Sequence, residues 1–192
     1  MKDRLILLVG ASGSGKTTIA KELEKEGYNI IHSYTNREPR EPNEWGHTFI
    51  TAGNWYEEDI YSGGTIDYEE EISIHANEMI AYFSEYDMNK VYFATYEQYQ
   101  SKGTSIYIVD PDGANQVRQN VKDAEVVTIF LMADDVSRGN RMWKQGRNSE
   151  DINSRISSDK KIFSKCECDY VVDGNRKLPE VVADIKEIIG GM

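Results

Sequence analysis

The chain has 192 residues, 39% hydrophobic and 29% charged, enough apolar material for one domain with a real core, with or without an insertion. It contains no run of about 18 apolar residues, which excludes a membrane-spanning helix. Its 33 acidic and 22 basic side chains give −11, the wrong sign for a protein that coats nucleic acid. Two cysteines, Cys166 and Cys168, cannot build a disulfide framework, and the apolar run after Lys2-Asp3-Arg4 is too short for a secretory signal, so a reducing, cytoplasmic setting is expected.

In chain order, Leu5 to Val9 is a continuous apolar run of strand length, as a central parallel strand requires. A glycine-rich turn follows, then a helix from Thr17 to Lys25 with Ile19, Ala20 and Leu23 on one face and Gly27 as its stop. Tyr28 to His32 reads as a second strand. Between Glu41 and Asn89 the composition changes sharply: there is no Lys or Arg and there are 12 Asp or Glu, so this block carries −12 and the rest of the chain about +1. The block also holds Trp45, Trp55 and several tyrosines, and Thr65 to Ile74 alternates as antiparallel strand would. Beyond it come a strand from Ser105 to Asp110, a helix near 114–122, and strands at Val126–Met132 and Tyr170–Val172. Leu178, Val181, Val182, Ile185, Ile188 and Ile189 form the stripe of a closing amphipathic helix. This alternation predicts an α/β fold with a parallel sheet covered by helices on both faces.

One motif carries chemistry. Gly10-Ala11-Ser12-Gly13-Ser14-Gly15-Lys16-Thr17 matches G-x-x-x-x-G-K-[ST], with a strand entering and a helix leaving. Glycines let the backbone curl so that successive amides face one anion, and the helix N-terminus adds partial positive charge there. Residues Gly10 to Thr18 are therefore expected to bind ATP, with Lys16 reaching the β- and γ-phosphates and the Thr17 hydroxyl ligating Mg2+. Asp110, at the end of an apolar strand, or Asp112 in the following turn, is expected to organise the magnesium, directly or through water. Arg37 and Arg40, three residues apart just before the acidic block, suit a phosphate monoester approached from one side. A second basic group, Arg138, Arg141, Lys144, Arg147 and Arg155, would set cations over a moving phosphoryl group, with Arg147 and Arg155 the foremost candidates.

Taken in order, these residues resemble the guanylate kinase family over nearly the whole chain. Ser33-Tyr-Thr-Asn-Arg37-Glu-Pro-Arg40 is similar to the family's S-x-T-T-R-x-P-R segment, in which the serine touches the acceptor nucleotide and both arginines grip its phosphate. His47, two residues before Phe49, stands at a phosphate-binding tyrosine. Phe83-Ser-Glu85-Tyr86 resembles the element whose glutamate accepts hydrogen bonds from guanine. Tyr92-Phe93-Ala94-Thr95 resembles Y-Y-G-T, and Asp110-Pro-Asp112 a D-x-D strand end. Arg141, Arg147 and Arg155 resemble the lid, and Asp169-Tyr-Val-Val the last strand.

The resemblance implies a P-loop NTPase core formed by residues 1–32 and 98–192, a small mixed α/β acceptor-binding insertion at 33–97, and a helical lid at 138–152, all in one kinase-like domain spanning 1–192. It implies Lys16, Arg37, Arg141, Arg147 and Arg155 as catalytic residues. Ser33, Arg37, Arg40, His47, Glu85, Phe93, Thr95, Asp110 and Asp112 would bind the acceptor. The implied reaction is phosphorylation of GMP or dGMP by ATP. A carboxylate at Glu85 can accept both N1–H and the 2-amino group of guanine, whereas adenine offers an acceptor at N1, a mismatch of about 1–3 kcal/mol.

The departures fall mainly in the acceptor site. His47 and Phe93 replace tyrosines, Ala94 replaces glycine, and Gln145-Gly-Arg147 replaces Arg-Gly in the lid. They keep two alternatives open: a P-loop kinase for a different small phosphorylated acceptor, or a non-catalytic binding module of guanylate-kinase type.

Overall fold

The computed structural model describes residues 2–50, 65–68, 72–75, 78–85 and 90–191, with side-chain surroundings given for 2–50, 78–83 and 90–191. The elements in chain order are β1 (Arg4–Val9), α1 (Lys16–Lys25), β2 (Asn29–Ile31), β3 (Ser33–Thr35), β4 (His47–Phe49), β5 (Thr65–Tyr68), β6 (Ile72–His75), β7 (Met79–Glu85), β8 (Lys90–Thr95), β9 (Thr104–Ile108), α2 (Pro111–Asn120), β10 (Glu125–Met132), α3 (Asp135–Lys144), α4 (Ser149–Ile162), β11 (Tyr170–Asp173) and α5 (Leu178–Gly190). Short 3-10 turns lie at Tyr96–Gln98 and Phe163–Lys165.

The apolar run Leu5–Val9 lies at the centre of a five-stranded parallel sheet of order β11-β10-β1-β9-β2. Its side chains alternate between two cores. Ile6 and Leu8 meet Ile19, Ala20 and Leu23 of α1 and Val181, Val182 and Ile185 of α5. Leu5, Leu7 and Val9 face Ala114 and Val117 of α2 on the other side. All five are fully buried, each stabilising the fold by about 1.5–3 kcal/mol relative to exposure. Burial on both faces is why this strand shows no polar alternation.

Helix boundaries follow local chemistry. α1 stops where Gly27 takes φ +93°, its N–H reaching Glu24 O at 3.0 Å. α2 begins three residues earlier than the sequence reading placed it. Asp110 Oδ1 accepts the Gly113 N–H at 2.7 Å and Pro111 occupies the first turn, so Asp-Pro-Asp-Gly starts the helix rather than preceding it. Asp134 and Asn148 cap α3 and α4 in the same way. These two helices, with a turn at Gly146 (φ +83°), contain the 138–152 segment, and α4 runs on to Ile162.

Residues between 33 and 95 build a separate four-stranded sheet of order β4-β3-β8-β7, in which β3 runs parallel to β4 and antiparallel to β8. β5 and β6 form an antiparallel hairpin, in line with the alternation from Thr65 to Ile74. Among the described residues of 33–97 there are strands, turns, bends and 3-10 segments, and no α-helix. Ile80, Ala81 and Ala94 seat this sheet on the α2 face of the main sheet. Among the described residues, no helix is long and apolar enough to cross a membrane.

Candidate nucleotide-binding site

The loop after β1 curls because its glycines permit it. Gly13 and Gly15 have φ of +77° and +109°, and a Cβ on Gly10 would lie 2.7 Å from Leu131 O. Ser14 N–H closes the turn on Ala11 O at 3.1 Å. Lys16 Nζ folds back onto the carbonyls of Gly10 and Ala11, the latter at 3.2 Å. Burial pushes its pKa down to about 8, and the carboxylate of Asp159 opposes that shift. A cavity of about 280 Å³ opens over the loop, lined by Lys16, Thr17 and Thr18, by Arg40 from the second sheet's side, and by Gln145 and Arg147 between α3 and α4.

A neighbouring cavity of about 260 Å³ is lined by Ser33, His47, Tyr82, Tyr92, Tyr107 and Asp110, among others. Ser33 Oγ lies 3.2 Å from the Tyr107 hydroxyl, and burial pushes that phenol up to about 12, so it stays neutral. His47 pairs with Ser33 across β3 and β4 and sits 5.6 Å from the Tyr92 ring, centroid to centroid. Burial, reinforced by the Arg37 cation, pulls its pKa down to about 4. Trp45 ties this segment to α1 by donating to Glu24 at 2.9 Å.

Arg40, which lines the cavity over the P-loop, and Arg37, whose cation acts on His47, share one carboxylate. Arg37 is buried and donates two parallel bonds to Glu44, Nη1 to Oε2 at 2.9 Å and Nη2 to Oε1 at 2.6 Å. The Arg40 N–H adds a bond to Glu44 at 2.7 Å, and its own guanidinium, 64% exposed, stands 3.7 Å away. Hydrogen bonding from Arg37 holds the Glu44 carboxyl down at about 2. Glu44 thus fills the anion position that the Arg37/Arg40 spacing was expected to offer a phosphate. Two buried polar atoms here, Arg37 Nε and His47 Nδ1, have no hydrogen-bond partner among the described residues.

The remaining expected residues scatter. Phe93 leaves the site: it is 1% exposed and stacks on Tyr34 in a small core with Ile50, Met79 and Val91. Successive strand residues face opposite sides, so it is Tyr92 that reaches the cavity. Thr95 starts the 3-10 turn, its N–H donating to Gln98 Oε1 at 3.0 Å, and does not line the cavity beside Ser33 and His47. Asp110 lines that cavity rather than the one over the P-loop, with one carboxylate oxygen committed to the α2 cap, and Asp112 is exposed on the first turn of α2. Arg141 is turned onto backbone carbonyls of Ser14 at 2.9 Å and Gly174 at 2.6 Å. Arg147 lines the P-loop cavity, whereas Arg155 does not; both pair with Asp151, at 2.8 and 2.9 Å. Glu85 closes β7, and its side chain lies outside the described residues.

Four residues of the site were not among those expected from the sequence: Glu44, Tyr82, Tyr92 and Tyr107. The signals were an acid four residues after Arg40 and a phenol inside an otherwise apolar strand. No group of three or more His, Cys, Asp or Glu side chains that could hold a metal occurs among the described residues. The hard oxygen donor beside Lys16 is the Thr17 hydroxyl, which suits Mg2+ when nucleotide phosphates complete the shell.

Among solved structures, the guanylate kinase of Anaplasma phagocytophilum superposes with a TM-score of 0.62 over 99% of this chain and 86% of that one, at 18% identity. The structure of APE1195 matches with a TM-score of 0.51 over 100% of this chain and 97% of that one, also at 18% identity. At that identity both likenesses speak for the fold. No curated protein matches in sequence. The sequence profile of guanylate kinases matches residues 2–191, end to end through the P-loop, the arginine pair and the α3–α4 segment, and the chain therefore belongs to the guanylate kinase family.

Proposed function

We propose that the protein transfers the γ-phosphoryl group of ATP to a nucleoside monophosphate, with GMP or dGMP as the preferred acceptor. The observation that carries this reading is that Arg40 lines the same cavity as Lys16, Thr17 and Arg147, while its companion Arg37 acts electrostatically on His47, which lines the aromatic pocket. A monophosphate with its base among Tyr82, Tyr92 and Tyr107 would present its phosphate to Arg37 and Arg40 and so to the mouth of the P-loop.

In this reading the P-loop amides and Lys16 hold the donor, and Arg147 closes over it. Thr17 would hold magnesium, which supplies charge neutralisation on the β- and γ-phosphate oxygens. The acceptor is already an anionic phosphate, so no general base is needed; catalysis is alignment plus charge compensation. Glu44 would give up part of its hold on the arginines when the acceptor phosphate arrives, and the neutral His47 ring offers a hydrogen-bonding nitrogen to that phosphate. A cytoplasmic setting fits the free thiols of Cys166 and Cys168.

A second reading, a kinase for another small phosphorylated acceptor, is favoured by His47, an imidazole at the pocket wall where the resemblance implies a tyrosine. Initial rates of ADP release from Mg-ATP should be measured with GMP, dGMP, AMP, CMP, UMP and dTMP in turn, alongside ATP binding by calorimetry. Turnover with GMP or dGMP above the others is the expected result. Turnover only with a different acceptor would select the second reading, and a chain that binds no ATP would be a non-catalytic module.

A further inference from the structure

Two charged side chains that phosphoryl transfer does not use are buried directly behind the P-loop. Arg138 on α3 is 4% exposed and Asp159 on α4 is 7% exposed, and they form an ion pair. Arg138 belongs to the basic group expected to face the moving phosphoryl; it is turned the other way. Both partners also reach the backbone of one loop residue. Asp159 Oδ2 accepts the Ser12 N–H at 2.9 Å, and Arg138 Nε donates to Ser12 O at 2.8 Å. Asp135 completes the guanidinium's shell at 3.1 Å.

This arrangement closes a ring through α3, α4 and the loop. Neither the backbone N–H nor the backbone carbonyl of Ser12 faces a nucleotide, so the ring fixes how the next amides point. Gly13 shows how close the fit is, since a Cβ there would lie 2.8 Å from Arg138 O. Each helix also buries an apolar residue of its own, Met142 on α3 and Ile152 on α4. A buried ion pair adds little to stability that a well-packed apolar pair would not, and often less. What an apolar pair cannot reproduce is the double bond of α3 and α4 to Ser12.

We infer that Arg138 and Asp159 are positioning residues that fix the P-loop in its phosphate-receiving curl by locking it to the docked α3–α4 pair. The inference rests on the reading that this loop holds a nucleoside triphosphate. It also links the two ends of the helical pair: the base is pinned to the loop through Ser12, while the turn bearing Gln145 and Arg147 overhangs the cavity. Donor affinity should therefore depend on residues that never touch the donor.

The test compares the unmodified protein with Arg138→Met/Asp159→Leu, which leaves no buried charge unpaired, and with Arg138→Lys. The lysine variant keeps a cation opposite Asp159 but lacks the forked second nitrogen that reaches Ser12 O. Three readouts are needed: thermal midpoint, ATP dissociation constant by calorimetry, and amide deuterium uptake of a peptide spanning residues 10–15. Both variants should melt near the unmodified protein, bind ATP about tenfold more weakly, and exchange the loop amides about tenfold faster. A folded variant with unchanged loop exchange, or with unchanged ATP affinity, overturns the inference. Should the double variant fail to fold, the lysine variant decides on the same criteria. If the unmodified protein binds no ATP, the nucleotide reading fails, and loop exchange alone decides whether the clamp exists.

Discussion

Replacing Glu44 by glutamine probes the site at its most constrained point. The Arg37 side chain is 5% exposed and that of Glu44 11%, so the pair is nearly dry and its two bonds are parallel and short. Glutamine keeps one acceptor oxygen but no charge, leaving the guanidinium without a carboxylate and with Glu38 O at 2.9 Å and the Tyr92 hydroxyl as its other acceptors. Breaking one partner of a buried pair costs about 3–5 kcal/mol, and the residual acceptors place this case near the lower end. In a chain of this size about 3 kcal/mol corresponds to a fall of roughly 6–12 °C in Tm. Melting curves near neutral pH, followed by circular dichroism, would show it. The vacated fork should then take inorganic phosphate, so added phosphate should raise the variant's Tm more than that of the unmodified protein. Because Arg37 holds Glu44 down at about 2, its stabilising contribution is present above the ordinary carboxylate value of 4.5 and is lost as pH falls toward 2. The gap between the two proteins should therefore narrow over that acidic window. A variant melting within about 2 °C of the unmodified protein, with no extra response to phosphate, would refute the claim that Glu44 holds an anion site.

Arg37→Ala combined with Arg40→Ala should raise the acceptor KM by about 100-fold or more, from the loss of charge-assisted bonds, while ATP affinity by calorimetry changes less than about twofold. His47 is held near 4 in the folded chain against 6.5 unfolded, so between those values the unfolded chain binds more protons and stability falls with falling pH. His47→Gln should remove up to about 3 kcal/mol of that acid sensitivity, read from denaturant midpoints across the window. Gly113→Ala would set a Cβ 2.3 Å from Val109 Cγ2 at the wall of the acceptor cavity, and should cost about 1–3 kcal/mol by urea unfolding. Equal stability there would mean that α2 shifts freely, against the Asp110 cap.

Local chemistry made much of this protein readable from its sequence. Leu5–Val9, the P-loop and α1 are contiguous, and each is specified by its own residues: apolar on both faces, glycines where φ must be positive, and an i, i+3, i+4 stripe for burial. The closing stripe of α5 is legible for the same reason. The Asp110-Pro111 start of α2 was equally local, a cap followed by a proline that needs no donor, although the reading set it too late.

Other features depend on residues far apart in the chain or on the face a side chain takes. Nothing in Tyr92-Phe93 tells which ring enters the pocket; the pairing of β8 with β3 and β7 decides it, by turning Phe93 into a core. Arg37 looked like half of an open phosphate fork, but folding brings Glu44 into it. Arg138 and Arg141 looked like cations for a moving phosphoryl, yet packing turns them onto the loop's backbone, and Asp159, 147 residues from Ser12, completes the clamp. The motif alone determined the glycine-permitted curl of the P-loop at a helix N-terminus, because backbone curl and helix N-terminus are local physics. Which charges face the substrate was decided only in three dimensions, because a buried charge must find its partner wherever the fold supplies one.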